Sequence, residues 1–291
     1  MPSGTSRPSL FVTTNISAST PTYTIAPSRA WVALRLGEIW AYRELLYSLV
    51  WREIKVRYKQ TALGMGWAIL QPFLTMVVFS IFFGRLAGIP SDGVPYPVFA
   101  FAALVPWQLF AFSLTESSNS VVANQRVITK VYFPRLLMPI APIGVGLVDF
   151  AVAFSVLIAL MAFYGVSPNL AMLTVPLWAL LAVMTALAVA LWLSALNVRY
   201  RDVRYTVPFL TQLWLFATPV AYPTSIVPEA WRPFYALNPM VGVVDGFRWA
   251  LLGSTGPPQV TALISVATVL ALLVGGLFYF RRMERTFADV V

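Results

Sequence analysis

The side chains that perform most enzymatic chemistry are missing from this chain: among its 291 residues there is no cysteine and no histidine. Thiol catalysis, disulfides, thiolate or imidazole metal sites and a Ser-His-Asp triad are thereby excluded. The lysines are Lys55, Lys59 and Lys130, and none follows a glycine as a phosphate-cradling loop requires. No catalytic residue and no metal site is therefore expected. What remains are ionisable residues in apolar surroundings, namely Asp149 within a long apolar run and the pair Asp245 and Arg248, three residues apart. A carboxylate at membrane depth is a functional candidate by default. A proton relay would need further acids, bases or histidines beside Asp149, and the neighbouring runs offer none, so its expected role is to hydrogen-bond an adjacent helix or to face a polar cavity.

The elements that must position these residues follow from composition. Hydrophobic residues make up 59% of the chain, charged residues 11%, and the mean hydropathy is +0.76, whereas a soluble domain carries roughly 25% charged residues. About 20 apolar residues at 1.5 Å rise cross roughly 30 Å of hydrocarbon. Six stretches qualify, at 60–84, 93–115, 136–164, 170–197, 205–222 and 260–280. The net charge of +9 is not a nucleic-acid footprint, because the basic residues cluster at the ends of these stretches. Of the 20 Lys and Arg, only Arg85, Arg232 and Arg248 fall on one side. The positive-inside rule then places both termini in the cytoplasm and predicts a multi-pass protein of a bacterial inner (plasma) membrane.

The expected architecture is all-α. Residues 1–36 read as a disordered Ser/Thr/Pro-rich tail, 37–59 as a cytoplasmic amphipathic interface helix, 60–285 as a six-helix transmembrane domain, and 286–291 as a C-terminal tail. In the interface helix Glu44, Ser48, Arg52, Lys55 and Lys59 share one stripe, opposite Tyr42, Leu45, Leu46, Leu49, Val50 and Val56. Anionic headgroups would favour such a basic face, so membrane lipids are an expected partner; packing on other protein is the alternative. Segment 222–253 is broken by Pro223, Pro228, Pro233 and Pro239, which predicts two short re-entrant outer helices before the last span, the second over 239–252 and stopping at Gly253. Its only charges, Asp245 and Arg248, are neighbours on one helical face and are expected to pair. An ordinary interfacial ion pair of little weight is the alternative.

Two strings carry a family resemblance. WREIKVRYKQTALGMGWAILQPFLTMVVFSIFFGRLAG, at 51–88, and LNPMVGVVDGFRWALLG, at 237–253, resemble the permease subunits of polysaccharide-exporting ATP-binding-cassette transporters. O-antigen exporters are the nearest match, with capsule and teichoic-acid exporters as relatives. The resemblance implies a six-helix half-transporter that forms a homodimer with a second permease copy and pairs with two ATPase subunits, which bind the ATP and Mg. No cofactor is expected in this chain, and the implied cargo is a lipid-linked polysaccharide.

It also implies roles for particular residues. The basic loop NQRVITKVYFP with the next residue would be the ATPase-coupling helix, through Asn124, Gln125, Arg126, Lys130, Phe133 and Arg135. Anchoring of the span ends by the same cations is the plainer alternative. Sugar rings offer C–H faces that stack on aromatic rings, and the resemblance places the channel wall on spans one and five, at Trp67, Phe73, Phe209 and Trp214. Packing against lipid or other helices is the competing use of each ring. Asp245 and Arg248 would fix the outer gate. A membrane-embedded glycan transferase is a rival reading, but Asp92, Glu229 and Asp245 are scattered in sequence. An ion-coupled transporter would show inverted repeats and intramembrane charges, and neither is evident.

Overall fold

The computed structural model describes residues 36–59, 64, 66–253, 256–284 and 287. The expected tails therefore lie outside the described residues, apart from Leu36, which already opens a helix, and Phe287. All regular structure among the described residues is helical. The order is α1 (Leu36–Ala41), α2 (Arg43–Lys59), α3 (Gly66–Phe79), α4 (Tyr96–Ala123), α5 (Gln125–Ile128), α6 (Leu137–Phe163), α7 (Val175–Arg199), α8 (Val203–Phe216), α9 (Arg232–Tyr235), α10 (Pro239–Leu252) and α11 (Gln259–Glu284). A π-helical turn, Ser80–Leu86, prolongs α3, and a 3₁₀ turn, Leu170–Thr174, leads into α7.

Among the described residues five helices are long and apolar enough to cross a membrane: α3 with its π turn, α4, α6, α7 with its leading turn, and α11. The expected span at 205–222 differs. Its helix, α8, has 14 residues and so reaches about 21 Å, and the chain leaves helical geometry at 217–222. The residues there are apolar enough to prolong a hydropathy window, but Pro219 and Pro223 interrupt the backbone ladder.

α4 is the central helix, packed against α3, α6, α7, α8 and α10. Its Phe99, Phe101, Leu104, Phe110 and Leu114 are fully buried. Against it, α7 sets Ala179, Ala182, Ala186 and Ala190, all buried. Their spacing of three and four residues puts them on one stripe, and small side chains let the two backbones approach closely. Polar contacts fix the register: Asn197 Nδ2 of α7 donates to Ser118 O and to Asn119 Oδ1, both at 3.0 Å, and Ser117 Oγ donates to Pro139 O of α6 at 2.6 Å.

α10 is buried on nearly all sides between α4, α7 and α11. Gly246 makes this possible, because a Cβ there would lie 2.2 Å from the ring of Trp178 on α7. Gly253 ends the helix in the left-handed region at φ 61, where an L side chain is strained, and its N–H reaches Trp249 O at 3.2 Å. The bounds of α10 thus coincide with the segment 239–252 read from its proline and glycine.

The interface element is two helices rather than one, broken at Tyr42. Leu45, Leu46, Leu49 and Val50 of α2 pack on the apolar cluster formed by the end of α4, α5 and the start of α6, and a Cβ at Gly144 of α6 would sit 2.6 Å from Val50. The apolar face of α2 therefore rests on protein. Val56, expected on that face, is exposed instead, and the exposed side carries Tyr47 stacked on Trp51, with the Lys55 ammonium 5.4 Å over the indole.

Candidate functional site

The first candidate region is the loop joining α4 to α6. Ile128, Phe133 and Pro134 are buried and seat it on α6 and the end of α11. Asn124 ends α4, donating to Ser120 O at 2.9 Å and accepting from Arg52 of α2 at 2.7 Å. Gln125 is half-buried and opens α5. Arg135 binds the end of α11, where its backbone N–H donates to Glu284 Oε1 at 3.2 Å and its guanidinium to Glu284 O. Of the residues assigned to coupling, Arg126 and Lys130 are the ones whose side chains stand in solvent. Beside them is a residue that sequence reasoning passed over: Tyr132 is 93% exposed, next to exposed Val131. Hydropathy cannot distinguish an exposed Tyr from a buried Phe one position on; only the anchoring of Phe133 turns Tyr132 outward.

The second region is the segment between α8 and α10, held by side chains that reach in from elsewhere. Arg248 is 3% exposed. Its Nη1 donates to Pro219 O at 2.6 Å and Tyr222 O at 3.2 Å, its Nη2 to Val220 O at 2.8 Å, and the guanidinium lies 3.5 Å from the Phe99 ring centroid. The expected pairing with Asp245 is not formed. Asp245 accepts instead from Thr224 Oγ1 at 2.6 Å. The reason is local: non-helical carbonyls in an apolar setting need donors, and a guanidinium offers five in a fixed fork.

Asn238 was likewise missed. Its side chain caps α10 by accepting from Met240 N at 3.1 Å, accepts from Trp214 Nε1 at 2.9 Å, and donates to Ala217 O and Thr218 Oγ1 at 3.0 Å. An Asn directly before a Pro that opens a helix is the sequence signal for the cap. Tyr96 donates to Ala221 O at 2.6 Å, and Tyr222 and Tyr235 share a hydroxyl contact of 2.8 Å.

The third region comprises the aromatics of α3 and α8. Trp67, Phe73 and Phe209 are exposed. Trp214 is half-buried, its ring centroid 5.0 Å from that of Phe110 in a T-shaped contact and its indole N–H committed to Asn238. Asp149 meets both uses expected of it. It pairs with Arg57 at 2.9 Å and accepts from Tyr58, which ties the end of α2 to α6, and it lines a cavity. Burial, then the neighbouring Asp149, pushes the Tyr58 phenol up to about 12, so it remains a donor at neutral pH.

No cluster of three or more carboxylates suited to a metal ion occurs among the described residues. Long apolar helices, a buried helix with non-helical backbone beside it, and a compact basic loop at one end define a multi-pass helical membrane protein. The chain belongs to the ABC-2 type transporter family, whose model matches residues 44–252. It is 32% identical over 252 residues to the O-antigen export system permease protein RfbA of Myxococcus xanthus, an alignment covering 85% of this chain and 96% of that protein. To RfbA of Klebsiella pneumoniae it is 27% identical over 249 residues, covering 85% and 95%. To the polysialic acid transport protein KpsM of Escherichia coli it is 23% identical over 247 residues, covering 81% and 93%.

Proposed function

We propose that this chain is the transmembrane subunit of an ATP-driven exporter that moves a lipid-linked polysaccharide of the O-antigen type across the bacterial inner membrane. The observation that carries the reading is the near full-length similarity to O-antigen export permeases. The lower identity to the polysialic acid transport protein places a capsular cargo second. The chain supplies the path and two separate ATPase subunits supply the energy, binding ATP and Mg; the absence of a Gly-Lys phosphate loop from the sequence supports that division. Two copies of the chain face each other through α3 and α8, whose exposed Trp67, Phe73 and Phe209 offer ring faces to sugars, with Trp214 packed behind them. In this reading α9 and α10 are the re-entrant outer helices, and the Arg248 and Asp245 contacts hold the outer gate shut.

The loop at 124–135 is the ATPase-coupling surface, with exposed Tyr132 as its aromatic anchor and Arg126 and Lys130 as its exposed cations. Exposed aromatics on a rigid seat are the usual hot spots of an interface, and rim charges set register. Tyr132→Ala should weaken ATPase retention by about 30-fold, corresponding to roughly 2 kcal/mol. The double variant Arg126→Glu, Lys130→Glu should also lower association at low salt. Co-purification of the subunits and glycan display on intact cells report both; wild-type assembly and display in Tyr132→Ala and in the double variant would refute the coupling role.

Orientation is tested with single cysteines, since the sequence has none of its own. A membrane-impermeant maleimide should label Glu229→Cys in spheroplasts and Tyr132→Cys only after permeabilisation. The opposite pattern would invert the topology.

A further inference from the structure

Between the end of α2 and helices α3, α4 and α6 lies a cavity of about 340 Å³, the lower end of the ~300–1,000 Å³ range of small-ligand pockets. Its wall includes Trp67 and Gln71 of α3, Gln108 and Glu116 of α4, Asp149 of α6 and Arg57 of α2. Arg57 lies over the Phe112 ring at 4.3 Å and is committed to Asp149 at 2.9 Å. Both Asp149 oxygens are engaged, one by Arg57 and one by Tyr58. In contrast, the side chains of Gln71, Gln108 and Glu116 make no hydrogen bond or ion pair to any described residue.

Charge decides what such a wall receives. Among the described lining residues Arg57 is the cation and Asp149 neutralises it, while Glu116 is a further acidic group, so this wall offers a phosphate no net positive charge. An uncharged polyol needs none. Its hydroxyls can donate to Glu116, exchange hydrogen bonds with the amides of Gln71 and Gln108, which both donate and accept, and lay a C–H face against Trp67. We propose that this cavity is a subsite for one or two uncharged sugar rings of the transported glycolipid, and that it excludes the phosphates linking them to the lipid. The inference rests on the exporter reading above and adds to it which chemical part of the cargo is read. Because α2 closes one side of the cavity through Arg57, the subsite joins the interface helix to the path between α3 and α8.

The test uses the full-length chain in nanodiscs and two probes, a polyprenyl pyrophosphate bearing one N-acetylhexosamine and the same lipid pyrophosphate without sugar. The wild type should bind the sugar-bearing probe at least about tenfold more tightly, the equivalent of one hydrogen bond to a charged group. Glu116→Gln should remove most of that preference and leave the affinity for the sugar-free probe unchanged. Gln71→Leu, at an exposed position on α3 where the fold does not depend on it, should do the same to a smaller extent. Equal affinities in the wild type, or an undiminished preference in both variants, would overturn the subsite while leaving the exporter reading standing. Tighter binding of the sugar-free probe by Glu116→Gln would place the phosphates in the cavity and overturn it too. Binding of neither probe by the wild type would count against both readings.

Discussion

Replacing Arg248 with methionine should destabilise the protein by about 3–5 kcal/mol and abolish glycan display. Three carbonyls, those of Pro219, Val220 and Tyr222, depend on its guanidinium. Each buried acceptor left without a donor costs about 1–3 kcal/mol, and methionine retains the volume against Phe99 but none of the donors. Lysine should recover a part, since an ammonium can serve one or two carbonyls but not in the geometry of a planar fork. Unfolding in increasing denaturant in detergent micelles reads the loss directly. Asp245→Asn, in contrast, should change stability little, because its contact is with the Thr224 hydroxyl and not with Arg248. If Arg248→Met unfolds at the wild-type midpoint, the segment at 217–223 is held by something other than this clasp.

Gly246→Leu should be as severe through packing alone. Even a single Cβ would stand 2.2 Å from the Trp178 indole, and that ring has little freedom to move, because its Nε1 donates to Thr174 Oγ1 at 3.1 Å. Overpacking typically costs about 1–3 kcal/mol, and a leucine buried against an anchored indole belongs at the upper end or beyond. Gly246→Ala should fall lower in that range, and Trp178→Phe should restore part of the loss in the Gly246→Ala background. The apparent melting temperature of the four proteins forms a double-mutant cycle. Additive losses with no rescue would mean that α10 and α7 are not in contact at this point.

The helices that carry strong local punctuation were readable from the sequence. α10 begins at a proline and ends at a glycine, and both signals are contained within its own few residues, although the Asn238 cap before the proline was passed over. The short α8 was overread, because hydropathy sums side chains and is blind to carbonyls that a distant arginine will take. The same blindness paired Asp245 with Arg248. Spacing states that two residues share a face, but the partners that decide their bonding, Thr224 and the 219–222 backbone, belong to another part of the chain. Asp149 shows the limit most clearly, since its partner Tyr58 lies 91 residues away. Tyr132 was hidden for a different reason: its exposure is set by the burial of Phe133 beside it.

The shortness of α8 bears on the work of moving a hydrophilic polymer. The 14-residue helix reaches about 21 Å, with Arg204 and Thr206 in its first turn, against roughly 30 Å for the hydrocarbon layer. Beyond it, past the clasped carbonyls, Pro223, Thr224 and Ser225 line a small cavity with Asp92, groups that water can wet. If the cargo passes along α8, as in the exporter reading proposed above, it is stripped of bulk solvent over about two thirds of the bilayer rather than all of it. In that reading the dehydration barrier for each repeat scales with the shortened distance, so the same stroke of a partner ATPase would advance a longer hydrated chain.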